Sequence, residues 1–164
     1  PLNEYGRSKA RMEAAVLAAW PGALVVRTSA FFGPWHQHDF LTVALRALAR
    51  REDFLARDDV IVSSTYVPDL VNACLDLLID AESGLWHLAN PGALSWLDLA
   101  RLGARMAGLD TRGLSGRSPA ELRLTAPRPA WSVLGTERGL LLPSLEDAMS
   151  RYVRDSRALW TLAA

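Results

Sequence analysis

The hydrophobic pattern of the first thirty residues changes from helical spacing to a continuous apolar run. From Asn3, a suitable N-cap, apolar residues recur with helical spacing until Pro21-Gly22, where a helix must end. Residues 23–27 then form a continuous run, Ala-Leu-Val-Val-Arg, which is typical of a strand buried on both faces of a parallel sheet. A helix followed by a buried strand predicts half of an α/β repeat.

The middle of the chain continues this alternation of helical and extended patterns. The predicted elements are helices opened by Asp39 and by Pro68-Asp69, and extended segments at 54–55, 60–62 and 84–89. The second of these helices is predicted to turn Cys74 and Leu78 towards the core, because both lie on its apolar face.

The next segment changes from a helical pattern to a loop. Ser95 is placed to begin a helix that should end at Gly108. Residues 109–142 contain Gly and Pro at short intervals and are predicted to be mostly loop, with a short strand possible at 121–125.

The end of the chain predicts one last helix. Ser144 is a suitable cap for it, and the tail from Asp155 onward is expected to be loosely held. Leu159, Trp160 and Leu162 are apolar residues in this tail that could dock on a neighbouring surface.

Composition and charge narrow the class of protein. The 164 residues are 50% hydrophobic, which is ample for one domain core, and 18 acidic residues balance 18 basic ones. The basic residues are dispersed, so no nucleic-acid partner is expected. No apolar run approaches the ~20 residues that cross a bilayer, and we expect a cytoplasmic protein with no membrane partner. The single cysteine, Cys74, is predicted to be a core thiol and excludes a disulfide within the chain.

Two familiar ligand patterns are absent from the sequence. No G-x-G-x-x-G is present, so the chain has no obvious dinucleotide pyrophosphate site of its own. His36 and His38 share one loop, but no cysteine or carboxylate cluster accompanies them, and no metal is expected.

The chemistry of the chain is concentrated in Tyr5-Gly6-Arg7-Ser8-Lys9, which contains its only lysine. Residues four apart on a helix lie on the same face, so the phenol of Tyr5 and the ammonium of Lys9 can share one environment. A fixed positive charge stabilises a phenolate, and a phenol so placed can act as general acid towards a carbonyl oxygen. The alternative is that both are ordinary surface residues of an amphipathic helix, because a bare Y-x-x-x-K pattern is a weak motif.

Five features in order resemble the extended short-chain dehydrogenase/reductases that act on nucleotide sugars, and among them the dTDP-4-dehydrorhamnose reductases. The resemblance lies in Tyr5-x-x-x-Lys9, in the strand 23–27 followed by Phe31-Phe32-Gly33-Pro34, in Ser64-Thr65-Tyr66-Val67-Pro68-Asp69-Leu70, in Gly84-Leu85-Trp86-His87-Leu88, and in Arg128-Pro129 with Ser132 and Leu134. One such match would mean little, whereas five in the same order are specific.

The resemblance implies an α/β fold, the C-terminal portion of a doubly wound Rossmann-like sheet with a small α/β substrate-binding domain. Residues 1–50 would supply the catalytic helix, strand and following helix of the Rossmann part, and 51–164 mainly the substrate-binding part. The chain is accordingly expected to be a fragment that requires a missing N-terminal nucleotide-binding half, with a homodimer possible.

The resemblance also implies a reaction, the reduction of a 4-keto nucleotide sugar by NADPH or NADH. Tyr5 would donate the proton and Lys9 would hold the nicotinamide ribose. The cofactor would be bound by Tyr5, Lys9, Ser29 and Phe32. Arg128 would bind substrate phosphates unless it is a structural arginine that hydrogen-bonds loop carbonyls.

One departure concerns the substrate pocket. Ala30 stands where the reductases carry tryptophan in R-T-S-W, so the pocket is expected to be wider or to suit another sugar, and Trp35 could substitute for that ring. Two alternative functions follow. The first is an epimerase or dehydratase of the same superfamily, and the second is a non-catalytic nucleotide-sugar-binding module.

Overall fold

The structure, a computed structural model, describes residues 1–117 and 127–161 of the chain. Its helices are α1 (Glu4–Ala19), α2 (Phe40–Ala49), α3 (Val67–Ile79), α4 (Trp96–Met106) and α5 (Leu145–Thr161). Its strands are β1 (Leu24–Arg27), β2 (Phe31–Phe32), β3 (Phe54–Arg57), β4 (Ile61–Val62), β5 (Thr65–Tyr66), β6 (Gly84–His87), β7 (Leu94–Ser95), β8 (Leu114–Arg117) and β9 (Trp131–Ser132).

Helix caps fix the boundaries that the sequence predicts. Asn3, Asp39 and Ser95 each accept a hydrogen bond from a backbone N–H three residues later, and they begin α1, α2 and α4. Gly108 follows α4 with a φ of 69°, a left-handed conformation that suits glycine at a helix end.

The strands pair mostly in parallel. β1 pairs with β6, with Arg27 opposite His87, while β2 pairs with β5 and β3 pairs with β8. β4 lies between β7, which is antiparallel to it, and β9, which is parallel. In the described part of the chain β1 has no partner on its other edge.

Two groups of buried side chains hold these elements together. The main core lies between α2, α4 and α5 and includes Leu41, Leu45, Leu99, Met149 and Tyr152. A smaller sheet core lies between α3 and the β1–β6 pair and is centred on Trp86 and Leu88. The pairing of β6 with β1 connects the second part of the chain directly to the first.

Two polar contacts fasten α5 to the rest of the main core. Thr42 Oγ1 lies 2.9 Å from Asp39 Oδ2 and 2.7 Å from the Tyr152 hydroxyl, all in a buried position where desolvation raises the pKa of Asp39. Arg151 forms a bidentate ion pair with the buried carboxylate of Asp69, at 2.6 and 2.8 Å. Hydrogen bonding to Asp69 raises the pKa of Arg151 above its ordinary value.

Several predictions about individual segments are corrected by the structure. Residues 155–161 are not loosely held, because α5 continues to Thr161 and Trp160 is only 3% exposed within the main core. Leu78 does not face the core but is 60% exposed, and Cys74 is half-buried beside the sheet core. The loop prediction for 109–142 missed β8 and β9. The strand considered at 121–125 and the docking of Leu162 lie outside the described residues.

The strand at 23–27 forms as β1, although it is not buried on both faces in this chain. Val25 alone among its residues is buried, and α1 buries none of its sixteen residues. Met12, Val16 and Trp20, in or directly after α1, accordingly remain exposed.

Candidate active site

The Tyr5–Lys9 pair lies on the first two turns of α1, as the spacing predicts. Lys9 Nζ is 5.6 Å from the centroid of the Tyr5 ring, and the Tyr5 side chain is 72% exposed. Among residues 1–117 and 127–161, neither the hydroxyl nor the ammonium has a hydrogen-bond partner. The two groups are thus free to bind a ligand.

Helix α1 runs antiparallel to β1, and its N-terminal turns extend past the carboxyl end of that strand. Glu13 is the residue of α1 that lies beside the end of this strand, because its carboxylate binds Arg27 at 2.6 and 2.9 Å. The hydrogen bonds with Arg27 lower the pKa of Glu13, and the same hydrogen bonds raise the pKa of Arg27. Tyr5 lies eight residues before Glu13, about 12 Å further along the helix axis. The carboxyl ends of parallel strands are where open α/β sheets bind ligands.

The loop that follows β1 leads from this edge of the sheet into the main core. Ala30 has a φ of 33°, an uncommon conformation for a residue with a side chain. Ser29 is half-buried, and its backbone N–H lies 3.4 Å from Thr65 Oγ1. Strand β2 then alternates, so that Phe32 is 1% exposed and Phe31 is 53% exposed.

This alternation changes the expected role of Phe32. Its ring packs 5.2 Å from Tyr66 and 5.5 Å from Tyr152, and it is part of the main core. Its side chain therefore cannot line a surface site, and the neighbouring Phe31 is the aromatic ring that faces outward. The sequence reasoning overlooked Phe31, although a strand places adjacent side chains on opposite faces.

Trp35, the predicted substitute for the missing tryptophan, is 75% exposed at the end of the same loop. The rings of His36 and His38 lie near it, with 6.3 Å between their centroids. No group of three potential ligands that could hold a metal ion occurs in the described ranges.

Arg128 lines a shallow groove of about 250 Å³. The apolar wall of the groove contains Phe40 and Trp96, whose rings lie 4.7 Å apart, and a second arginine, Arg57, lies opposite. Arg57 is held by Asp59 at 2.6 Å, whereas Arg128 is exposed and forms no hydrogen bond within the described residues. A groove with an aromatic wall and a free guanidinium suits a ligand with both a planar ring and an anionic group.

One hydrogen bond connects the segment that contains Arg128 to the segment that contains Tyr5. Asn3, two residues before Tyr5, donates from Nδ2 to the carbonyl oxygen of Pro127 at 2.9 Å, and Pro127 precedes Arg128. The predicted catalytic and substrate-binding residues are thus connected. Asp69, by contrast, is engaged with Arg151 in the interior.

Comparison with known proteins identifies relatives of the chain. Residues 1–152 match the family described as the RmlD substrate binding domain. Over 139 residues the chain is 36% identical to a dTDP-4-dehydrorhamnose reductase of Mycolicibacterium smegmatis, an alignment that covers 84% of this chain and 42% of the relative. It is 28% identical over 159 residues to the spore coat polysaccharide biosynthesis protein SpsK of Bacillus subtilis, covering 94% of this chain and 55% of that protein.

Solved structures resemble the fold closely. A dTDP-4-dehydrorhamnose reductase of Bacillus anthracis in complex with NADP superimposes with a TM-score of 0.86 at 28% identity, covering 94% of this chain and 56% of that one. The reductase of Yersinia enterocolitica, at 24% identity, has a TM-score of 0.85, with coverage of 95% and 57%. These similarities confirm the predicted α/β Rossmann-like fold class. The chain spans about half the length of the curated relatives that it matches.

None of the helices in the described ranges combines the length and the apolar character that crossing a bilayer requires.

Proposed function

The chain belongs to the RmlD substrate binding domain family, and on this premise we propose that it is the C-terminal part of an NAD(P)H-dependent reductase that acts on a 4-keto nucleotide sugar. The proposed enzyme is a short-chain dehydrogenase/reductase of the dTDP-4-dehydrorhamnose reductase type. The observation that carries the proposal is the exposed Tyr5–Lys9 pair, whose polar atoms have no partner in the described part of the chain.

The proposed chemistry gives Tyr5 the role of general acid. Its hydroxyl donates a proton to the carbonyl oxygen of the sugar as that oxygen gains negative charge. The ammonium of Lys9, fixed on the same face of α1, stabilises the phenolate that remains. The nicotinamide cofactor, when bound, supplies the hydride.

The residues present fit a nicotinamide cofactor next to this pair. The three donors of Lys9 are compact enough to serve a ribose hydroxyl, and the site lies beyond the carboxyl end of β1. We assign Ser29 and the backbone around Phe32 to the cofactor side, with Phe31 as the exposed ring. The Bacillus anthracis relative is a complex with NADP, which supports NADPH as a cofactor.

Substrate binding is assigned to the groove of Arg128 and to the loop after β1. The exposed guanidinium of Arg128 is suited to a diphosphate, and Phe40 with Trp96 offers an aromatic wall for a nucleobase. Ala30 has a smaller side chain than the tryptophan expected at that position, and we assign the exposed ring of Trp35 as its substitute.

We propose that residues 1–50 form the catalytic helix, strand and following helix, and that residues 51–164 mainly bind the substrate. Within the second part, α3 and β6 return to the sheet. The open sides of α1 and β1 are where a nucleotide-binding half and, in a homodimer, a second subunit would pack. We expect the 164 residues alone not to turn over.

The test uses the full natural reading frame, with NADPH and a dTDP-4-keto-6-deoxy sugar. Tyr5→Phe should lower kcat by about 10²- to 10⁴-fold, because it removes the general acid. Arg11→Gln, an exposed change on the same helix, is the control and should retain activity. A folded wild-type protein that binds the nucleotide sugar without oxidising NADPH would instead support a non-catalytic module. Net product formation without consumption of NADPH would support an epimerase or dehydratase.

A further inference from the structure

Helix α1 is attached to the described part of the chain mainly by polar contacts. None of its residues is buried, so apolar packing does not fix its position. A helix that carries the proposed general acid nevertheless needs a defined position, since small displacements of reacting groups are costly in rate. The contacts that supply this position lie at Asn3 and Glu13.

Asn3 uses both ends of one side-chain amide. Its Oδ1 accepts the backbone N–H of Gly6 at 2.8 Å, which caps the helix, while its Nδ2 donates to the carbonyl oxygen of Pro127 at 2.9 Å. The cap fixes the first turn of α1, where Tyr5 lies, and the second bond fixes the residue next to Arg128. One side chain thus connects the proposed catalytic and phosphate-binding groups.

A second polar route holds the other end of the same segment. Glu13 binds Arg27, and Arg27 Nη1 lies 3.4 Å from His87 Nε2. His87 Nδ1 lies 2.7 Å from the carbonyl oxygen of Gly135, a partner that requires the proton on Nδ1 and leaves Nε2 as acceptor for Arg27. Residues 127–135 are therefore held by hydrogen bonds near both ends. Pro127 binds Asn3 directly, and Gly135 is connected to the middle of α1 through His87, Arg27 and Glu13.

We propose that Asn3 is a positioning residue that sets the approach of Arg128 to Tyr5, with the Glu13–Arg27–His87 route holding the far end of the Arg128 segment. This inference rests on the proposed function, because it concerns the placement of the substrate relative to the general acid. Asn3 itself touches neither reacting atom. It acts through Pro127 and through the first turn of α1.

The experiment separates capping from tethering in the full natural reading frame. Asn3→Asp and Asn3→Ser keep an oxygen that can cap the helix, but both remove the Nδ2 amide group that donates to Pro127. Both variants should keep the wild-type Tm and KM for NADPH, while kcat/KM for the dTDP-4-keto-6-deoxy sugar falls about 3- to 10-fold, as expected for one lost hydrogen bond. Arg11→Gln, an exposed change on the same helix, should leave all three quantities unchanged.

Two outcomes would overturn the inference. One is a kcat/KM for the sugar nucleotide within twofold of wild type in both Asn3 variants. The other is a parallel change in Tm and in KM for NADPH, which would reduce Asn3 to a helix cap.

A wild-type protein without turnover would refute the proposed reductase separately. The dissociation constant of dTDP, measured by calorimetry, then decides the role of Asn3. An affinity for dTDP that is about 3- to 10-fold weaker in both variants, at unchanged Tm, would support the positioning role of Asn3, and an unchanged affinity would overturn it.

Discussion

We expect the ion pair between Arg151 and Asp69 to contribute more to the free energy of unfolding than any other polar contact of α5 described above. The Asp69 side chain is 8% exposed and accepts both terminal nitrogens of Arg151, at 2.6 and 2.8 Å. Arg151 is 26% exposed and also contacts Asp147, whose side chain is 56% exposed. One arginine therefore makes one buried and one exposed pair, and the two can be compared directly.

Arg151→Met removes the charge but keeps much of the apolar stem. The Asp69 carboxylate is then left with Asn90 Nδ2, at 3.3 Å, as its side-chain donor in the described part of the chain. Removing one partner of a buried ion pair costs about 3–5 kcal/mol. Because Arg151 is partly exposed and Met retains its packing, we expect the lower end of that range, about 3 kcal/mol of unfolding free energy.

The matched control is Asp147→Ala, which breaks only the exposed pair and should cost about 0.5 kcal/mol or less. Equilibrium urea denaturation of the 164-residue chain measures both variants. Tryptophan fluorescence follows the transition, because unfolding exposes the buried Trp86 and Trp160 to water. A loss below 1 kcal/mol for Arg151→Met, or equal losses for the two variants, would refute the reasoning that burial of Asp69 sets the magnitude.

Two further predictions concern Asp39 and Ala30. Burial raises the pKa of Asp39, so ionisation of this carboxyl group opposes folding. The stability that the protonated carboxyl group contributes is fully present below the unfolded-state pKa and is lost as pH rises through the folded-state pKa. Asp39→Asn should therefore gain stability relative to wild type as pH rises from 4 to 7, and a pH-independent difference between their urea midpoints would contradict this. Ala30 has a φ of 33°, and Ala30→Gly should relieve strain and stabilise the chain by up to about 1 kcal/mol, whereas a lower Tm would show that the strain is negligible.

Helix starts were predictable because their signals are local. Asn3, Asp39 and Ser95 each precede an apolar helical pattern, and each caps the helix that was expected. The placement of Tyr5 and Lys9 on one face follows from the same periodicity, since a four-residue spacing needs no tertiary information.

The features that sequence reasoning missed depend on tertiary partners. Strand β8 has the sequence Leu-Ser-Gly-Arg, which lacks an apolar pattern and forms through pairing with β3. The last two turns of α5 are fixed by burial of Trp160. Phe31 and Phe32 are chemically identical, and only the pairing of β2 with β5 decides which of them faces the core.

The unpaired side of β1 also bears on how the chain behaves when it is produced alone. Within residues 1–117 and 127–161, the four-residue strand Leu-Val-Val-Arg pairs on one edge alone and contains neither proline nor lysine, the residues that proteins commonly use to prevent strands of different molecules from joining. Two copies can extend one another's sheet through this edge, so self-association should increase with concentration. In the proposed reductase, a segment that pairs with this edge would also protect the protein from self-association.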